Sequence, residues 1–529
     1  MTFTKQRKLR GAGPMLAAET LARPRVQVAI LGATLGLGVA MQAPASAADM
    51  AKNVRVGHTV NTVVVPGSTL CPDPVRCHYE DRRVDVHLWY PADVKKFAGA
   101  PKTVYQSALH GLNDDKPGNP PNPLIPGRWD PLSWQVESEV AREAPIDRNG
   151  PALPVIVFSH GSTNDPIDYA QTLELIAGAG FVVAAPAHVN NTQDDVRIDF
   201  INDEAKRATG DPQLRLFTCR DGRPSPCSRG NVARSMEDRV RDISYTLDKL
   251  DKDKVGHWSL AERVDKSQVG VMGHSRGTVT ALAAAGGSRT GTNETRPWGF
   301  DPEPRVKAVM GLAIGGRGIT FGADLAQVEV PTLLVAGQGD QNSTPDVSED
   351  AFTAIKSEKA YVSITNAVHR SFDSSYCDEL KSAGVITQAA GTNSYGERKA
   401  LLDWHTVQLI GTSFPGGRSG MAHEYCSADT FRNPDITELM TSFNNGTFTF
   451  DGHAPTTGLE TNEVKDGVKE LAVTFFGTVL KRVGNDGPHF TEFLSPKWLE
   501  KHEPMVGAAE AVAGRDGICP PGQDVTCAD

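Results

Sequence analysis

The chain has 529 residues, 39% of them hydrophobic and 22% charged, enough for one large α/β domain with insertions or for two smaller ones. Its net charge is −10; without residues 1–47, which carry six Lys/Arg and one acid, 48 basic and 63 acidic side chains remain, a net charge near −15. That balance disfavours nucleic acid and anionic membrane surfaces as partners, and an aromatic content of 7% gives no sign of a carbohydrate- or polymer-binding module.

At the start of the chain Lys5, Arg7, Lys8, Arg10, Arg23 and Arg25 precede an apolar run over residues 26–41 and an A-x-A site, Ala45-Ser46-Ala47. The pattern is that of a secretory signal peptide over 1–47, cut after Ala47, and predicts a secreted, extracellular protein. The run is glycine-rich and shorter than the ~20 residues of a membrane span, so stable membrane insertion is not expected. The eight cysteines fall in close pairs, Cys71 with Cys77, Cys219 with Cys227 and Cys519 with Cys527, and Cys377 and Cys426 are left over. In an exported chain this reads as four disulfides, with neighbour pairing favoured among many connectivities. No C-x-x-C or His spacing supports zinc instead, and no metal is expected.

Residues 55–65 and 83–90 read as strands, the second alternating Val84, Val86, Leu88 and Tyr90 against Asp85, His87 and Trp89. Residues 91–150, rich in Pro, Gly and Asn, read as a long loop insertion. Residues 153–158 (LPVIVF) form a buried strand, 168–178 a helix and 181–185 the next strand, spacing that means a parallel sheet. A polar excursion over 190–231 precedes a helix over 232–250, with Val240, Ile243, Leu247 and Leu250 at helical spacing. Then come the strand ending at Met272, two more buried strands over 306–314 and 331–336, and a last one over 361–364. Residues 371–461 read as a second insertion, a possible cap over the site. Residues 462–500 read as a closing helix and strand of a core spanning 48–370, and 501–529 as a clipped tail. The expected fold class is α/β, a mostly parallel central sheet with helices on both faces and disulfide-clipped loop insertions.

Chemistry concentrates at Gly273-His274-Ser275-Arg276-Gly277, a G-x-S-x-G between the apolar residues Val269, Val271 and Met272 and a small-residue helical run over 281–285. Strand, tight turn and helix make this a nucleophile elbow with Ser275 as nucleophile. A serine hydroxyl needs a base within hydrogen-bond reach and a carboxylate to orient that base. The acid is expected just past a late strand, where Asp340 follows 331–336. The base is expected after the next strand, where His369 follows 361–364. Asp346 and Asp373 are fallback acids; His405, His423 and His453 lie inside the insertion. Two backbone N–H groups are needed for the developing oxyanion, and Arg276 and Ser162 are placed to supply them. His160 reads as a structural member of the Ser159–Ser162 turn, and the Arg276 side chain is left between meeting an anionic group and pointing to solvent.

VIVFSHG, GFVVAAPAH, GHSRG, GQGD and NAVHRSF, with the helix MEDRVRDISYTLDKL, resemble the platelet-activating-factor acetylhydrolase and dienelactone-hydrolase-like group of the α/β-hydrolase superfamily. The stretch VKELAVTFFGTVLKRVGNDGPHFTEFL is similar to the closing elements of bacterial cutinases and polyester hydrolases, and GHSRG is also spelled so in chlorophyllase-like enzymes. The resemblance covers residues 80–370 and 462–495 and implies a serine carboxylic-ester hydrolase (esterase or lipase type) with no cofactor. Its partner would be a small-molecule, lipid or polyester ester. In the acetylhydrolases the acid follows the strand VKAVMGLAI directly, where this chain has Gly315-Gly316-Arg317-Gly318. The acid one strand later resembles cutinase- and dienelactone-type members. Two other readings stay open: acyl transfer or perhydrolysis on the same triad, and a non-catalytic binding protein on a hydrolase fold. Acyl length and oligomeric state are not set by the sequence.

Overall fold

A computed structural model of the protein describes residues 55–66, 81–106, 135–192, 232–287, 302–315, 323–375, 461–481 and 506–512, with short gaps inside these stretches, and isolated positions between 195 and 213. The 1–47 segment and His405, His423 and His453 lie outside the described residues. So do all eight cysteines of the expected disulfides: Cys71, Cys77, Cys219, Cys227, Cys377, Cys426, Cys519 and Cys527.

The strands are β1 (Val56–Val65), β2 (Arg82–Pro91), β3 (Lys102–Gln106), β4 (Gln135–Arg142), β5 (Leu153–Ser159), β6 (Val182–Pro186), β7 (Lys254–Val255), β8 (Trp258–Ser259), β9 (Val264–His274), β10 (Val306–Leu312), β11 (Thr332–Gly337), β12 (Lys359–Ile364) and β13 (Val506–Val512). The helices are α1 (Val94–Phe97), α2 (Ala170–Gly178), α3 (Val232–Leu250), α4 (Arg276–Ala284), α5 (Pro345–Ala354) and α6 (Thr461–Leu480). Eleven strands make one sheet in the order β13-β12-β11-β10-β9-β5-β6-β2-β1-β4-β3. From β12 to β6 the six central strands run parallel, while β13 and β2 flank them antiparallel.

The continuous apolar runs explain the burial on both faces. In β5, Val155 and Val157 face one side, into a core cluster that also holds Val240, Ile243 and Leu247 of α3, Leu282 of α4 and Phe352 of α5. Ile156 and Phe158 face the other side and pack with Leu173 and Ile176 of α2 and Leu471, Phe475 and Phe476 of α6. Each such side chain, taken fully out of water, contributes about 1.5–3 kcal/mol. The α6 helix closes tightly because β9 presents Gly270 beneath it, and a Cβ there would strike the Phe476 ring.

Two expectations are corrected. The stretch read as a loop insertion over 91–150 contributes α1 and the strands β3 and β4; β4 pairs parallel to β1, and β3 antiparallel to β4 at the sheet edge. The strand expected as the last, over 361–364, spans Lys359–Ile364 and is not the last: β13, inside the stretch read as the tail, adds antiparallel to it from Lys359↔Val512 to Ile364↔Val506.

After β5 the chain goes to β6 on one side, and after its helices it returns to β9 on the other. That reversal makes the β5/β9 boundary a switch point, where the carboxyl ends of the strands open a crevice. Ser159 lies opposite Gly273 at this edge. The crossing is narrow: a Cβ on Gly277 would run into the backbone carbonyl of Ser159, and one on Gly273 into that of Gly277. Backbone cannot step aside as a side-chain tip can. Gly277→Ala is expected to lower the unfolding free energy by about 3 kcal/mol or more. Gly477→Ala in α6, where the new Cβ meets nothing within 4 Å, should gain about 0.5–1 kcal/mol. Urea unfolding of both variants checks this, and equal effects would contradict it.

Candidate active site

At the carboxyl end of β9, Ser275 sits between strand and helix with φ 54° and ψ −119°, a strained conformation for a residue with a side chain. Its backbone locks the turn: the N–H donates to Leu312 O at 2.9 Å, and the C=O accepts from Thr278 N at 3.0 Å and Gly315 N at 2.9 Å. Thr278 Oγ1 adds a bond shared between Gly273 O and Leu312 O, each at 2.8 Å. Ser275 as a whole residue remains 9% exposed.

Asp340 follows β11, buried, with Oδ1 accepting Ser343 N–H at 2.7 Å. Its Oδ2 accepts from His369 Nδ1 at 2.8 Å. That bond fixes the proton of a neutral imidazole on Nδ1 and leaves Nε2 as an acceptor, the form a general base needs. The His369 side chain is 14% exposed, and its ring lies 4.7 Å, centroid to centroid, from the ring of His274, the residue before Ser275. The structure thus gathers Ser275, Asp340 and His369 at one end of the sheet. Of the fallback acids, Asp346 is exposed in the first turn of α5. Asp373 is buried but turned to a different histidine: its Oδ1 is 3.3 Å from His274 Nδ1.

His274 also pairs through Nδ1 with the Tyr169 hydroxyl at 2.7 Å. Asp373 Oδ2 accepts from Asn164 Nδ2 at 3.1 Å, and the same amide donates to Asp168 Oδ2 at 2.7 Å. Beyond Asp373, Ser374 Oγ accepts Thr172 N–H at 3.0 Å and Ser375 N–H donates to Asp168 O at 2.8 Å. The first turn of α2, whose N–H groups need partners, is thereby tied to the segment carrying His369. The sequence reading assigned no role to His274, Tyr169 or Asn164. Only the position of His274 inside GHSRG hinted at one.

Ser162 lies half-buried in the turn after β5, and Arg276, half-buried, opens α4. His160 is fully buried in that turn, with Nδ1 donating to Gly161 O at 2.7 Å and Nε2 accepting His188 N–H at 3.0 Å. Behind it lies a hydrogen-bonded Ser–His–Asp chain: Ser159 Oγ pairs with His188 Nε2 and His188 Nδ1 with Asp242 Oδ2, both at 2.9 Å. No substrate reaches it, because Ser159 and the side chains of His188 and Asp242 are at most 1% exposed. The buried Arg82 holds the other Asp242 oxygen at 2.8 Å.

Burial, and then the charges of Arg239 and Arg82, push His188 well below its ordinary value. Burial and then His87 do the same to His58 on β1, whose Nε2 pairs with His87 Nδ1 at 3.2 Å. Both rings stay neutral in the fold, whereas in the unfolded chain they take up protons near pH 6.5. Their stabilisation is therefore complete above about pH 6.5 and is lost as pH falls below it, with a slope of about 2.7 kcal/mol per pH unit for the two. Burial raises the Glu174 and Asp242 carboxyls, which adds stability as they protonate in the fold and so works against this loss. Urea unfolding midpoints should drop from pH 7 to pH 5.5, and His58→Gln should roughly halve the slope. A flat profile would refute this.

Six parallel strands with helices on both faces, a strained strand-to-helix turn after β9 and an acid–histidine pair after β11 and β12 are the arrangement of the α/β-hydrolase fold. Residues 129–295 match the model of the family described as platelet-activating factor acetylhydrolase, isoform II, which supports a hydrolase acting on esters. Among solved structures, a ferulic acid esterase from Streptomyces cinnamoneus is similar at 16% identity, with 83% of this chain and 94% of that chain covered and a TM-score of 0.42. No curated protein matches the chain. Among the described residues no helix is long and apolar enough to cross a membrane, and no group of three or more His, Cys, Asp or Glu is arranged to hold a metal ion.

Proposed function

We propose that the protein is an exported serine carboxylic-ester hydrolase working through an acyl-enzyme on Ser275. The observation that carries this reading is the 2.8 Å bond from His369 Nδ1 to the buried Asp340, at the same end of the sheet as the strained Ser275. His369 Nε2 takes the Oγ proton as Oγ attacks the ester carbonyl, and the pair of electrons moves to the carbonyl oxygen. The Arg276 and Ser162 amides receive that oxyanion, and removing one such donor costs about 10²–10³ in turnover. Collapse expels the alcohol, which takes the proton from His369. Water then repeats the sequence on the acyl-enzyme, releasing the acid and restoring Ser275.

The test is hydrolysis of p-nitrophenyl esters from acetyl to palmitoyl, with a fluorophosphonate label on the nucleophile. Turnover, with the label found on Ser275, supports the proposal, and the chain-length optimum separates an esterase from a lipase. A protein that neither hydrolyses any member nor takes the label is not a serine hydrolase.

A further inference from the structure

The oxyanion-side turn, Ser159–Ser162, rests on one buried guanidinium. Arg239, on α3 and 1% exposed, donates from Nη1 to His160 O at 2.6 Å and to Ser159 Oγ at 3.3 Å. Its Nη2 donates to Gly161 O at 3.1 Å and to Asn191 Oδ1. Two successive carbonyls are therefore drawn to one planar fork. His160 Nδ1 reinforces the second of them, and the chain Arg82–Asp242–His188–Ser159 braces the strand end from below.

In a planar trans peptide, C=O and the following N–H point in opposite directions. The His160 carbonyl faces Arg239, and the Gly161 N–H accordingly lands on the far side, on the Tyr169 hydroxyl at 3.1 Å. That hydroxyl is bonded to His274, beside the nucleophile. By the same rule the Gly161 carbonyl, held by Arg239, turns the Ser162 N–H away from the guanidinium. A cation under the carbonyl ends also polarises both peptides, making their N–H ends better donors.

We propose that Arg239 is a positioning residue for ester hydrolysis: its fork fixes peptides 160–161 and 161–162 so that the Ser162 amide meets the oxyanion. The inference rests on the ester-hydrolase reading. A planar fork with five donors suits two adjacent carbonyls; an ammonium is a point charge on a flexible stem and does not hold both in register.

The experiment uses Arg239→Lys and Asn191→Ala, the latter leaving the guanidinium in place but removing its anchor. Turnover is counted per active site titrated with a fluorophosphonate, so misfolded protein drops out. For Arg239→Lys the expected result is a kcat about 10²-fold lower with KM within about threefold. Inhibition by a trifluoromethyl ketone, which forms an oxyanion on Ser275, should weaken in parallel, and the pH profile of kcat/KM should keep its position, since His369 is untouched. Asn191→Ala should lose about three- to tenfold in kcat, with the same ketone effect. A purely structural role would lower the titrated fraction and leave kcat per site unchanged. Per-site kcat within about threefold of the parent for Arg239→Lys, or within about twofold for Asn191→Ala should the lysine variant not fold, overturns the proposal. A parent that neither turns over esters nor takes the fluorophosphonate overturns the ester-hydrolase reading itself, and this inference with it.

Discussion

Ser275→Ala is expected to fold as the parent does and to lose ester hydrolysis almost completely, with kcat about 10⁶-fold lower. The two halves of this result have separate causes. The elbow is held by the backbone of Ser275, through Leu312 O, Thr278 N and Gly315 N, and alanine keeps all of those bonds. Alanine tolerates φ 54° about as well as serine does, so stability should change by less than about 1 kcal/mol. The hydroxyl oxygen, by contrast, is the atom that the proposed mechanism acylates, and among the described residues the serine hydrogen-bonded to a His–Asp pair, Ser159, is fully buried and cannot take its place. Initial rates with p-nitrophenyl butyrate, paired with a thermal melt, check both halves. A variant retaining more than about 1% of turnover would show that the nucleophile lies elsewhere, since loss of a triad serine costs far more than that.

The parts of this architecture that were legible in the sequence share a physical property: the chemistry is confined to a few consecutive residues. A nucleophile on a strained turn needs glycines on either side, and Gly273 and Gly277 mark it because their Cβ positions are occupied by backbone. Buried parallel strands are continuous apolar runs, so LPVIVF and PTLLVA announced β5 and β11, and their ends pointed to the Ser159–Ser162 turn and to Asp340. The β3 and β4 strands gave no such signal. KTVYQ and QVESEVAR alternate weakly within Pro- and Gly-rich chain, and they form only because each finds a neighbour at the sheet edge. β13, VGAAEAV, is short-chained and carries a charge, and its place beside β12 is a pairing nearly 150 residues distant.

The polar core was hidden for another reason. The apolar spacing of Val240, Ile243, Leu247 and Leu250 marks one face of α3, but a hydrophobic pattern cannot distinguish water from a buried partner at the polar positions Asp238, Arg239 and Asp242. Arg239 and Asp242 are among the most buried side chains of α3, Arg239 bonded to a turn 80 residues earlier and Asp242 paired with Arg82.

The sequence places Asp340 as the acid and keeps Asp346 and Asp373 as fallbacks, and the two substitutions Asp340→Asn and Asp373→Asn should separate cleanly. Asp340→Asn keeps the shape of the group bonded to His369 Nδ1, but its amide can donate to that nitrogen. The imidazole proton then moves to Nε2, and the ring can no longer accept the serine proton. The expected loss in kcat is about 10⁴-fold. Asp373→Asn acts on His274 and Asn164 instead, and is one ring removed from His369, whose imidazole lies 4.7 Å from that of His274. It should cost about 1–3 kcal/mol of stability, by weakening the buried bonds that tie the His369 segment to the Asn164–Asp168 turn. The tautomer of His369 is left alone, so kcat per folded molecule should stay within about tenfold of the parent. Urea unfolding and single-substrate kinetics on the same preparations decide the matter. If Asp373→Asn carries the 10⁴-fold loss and Asp340→Asn is nearly silent, the acid is Asp373. The 2.8 Å bond to Asp340 would then be a structural tether for the loop after β12, and the base would be oriented through His274.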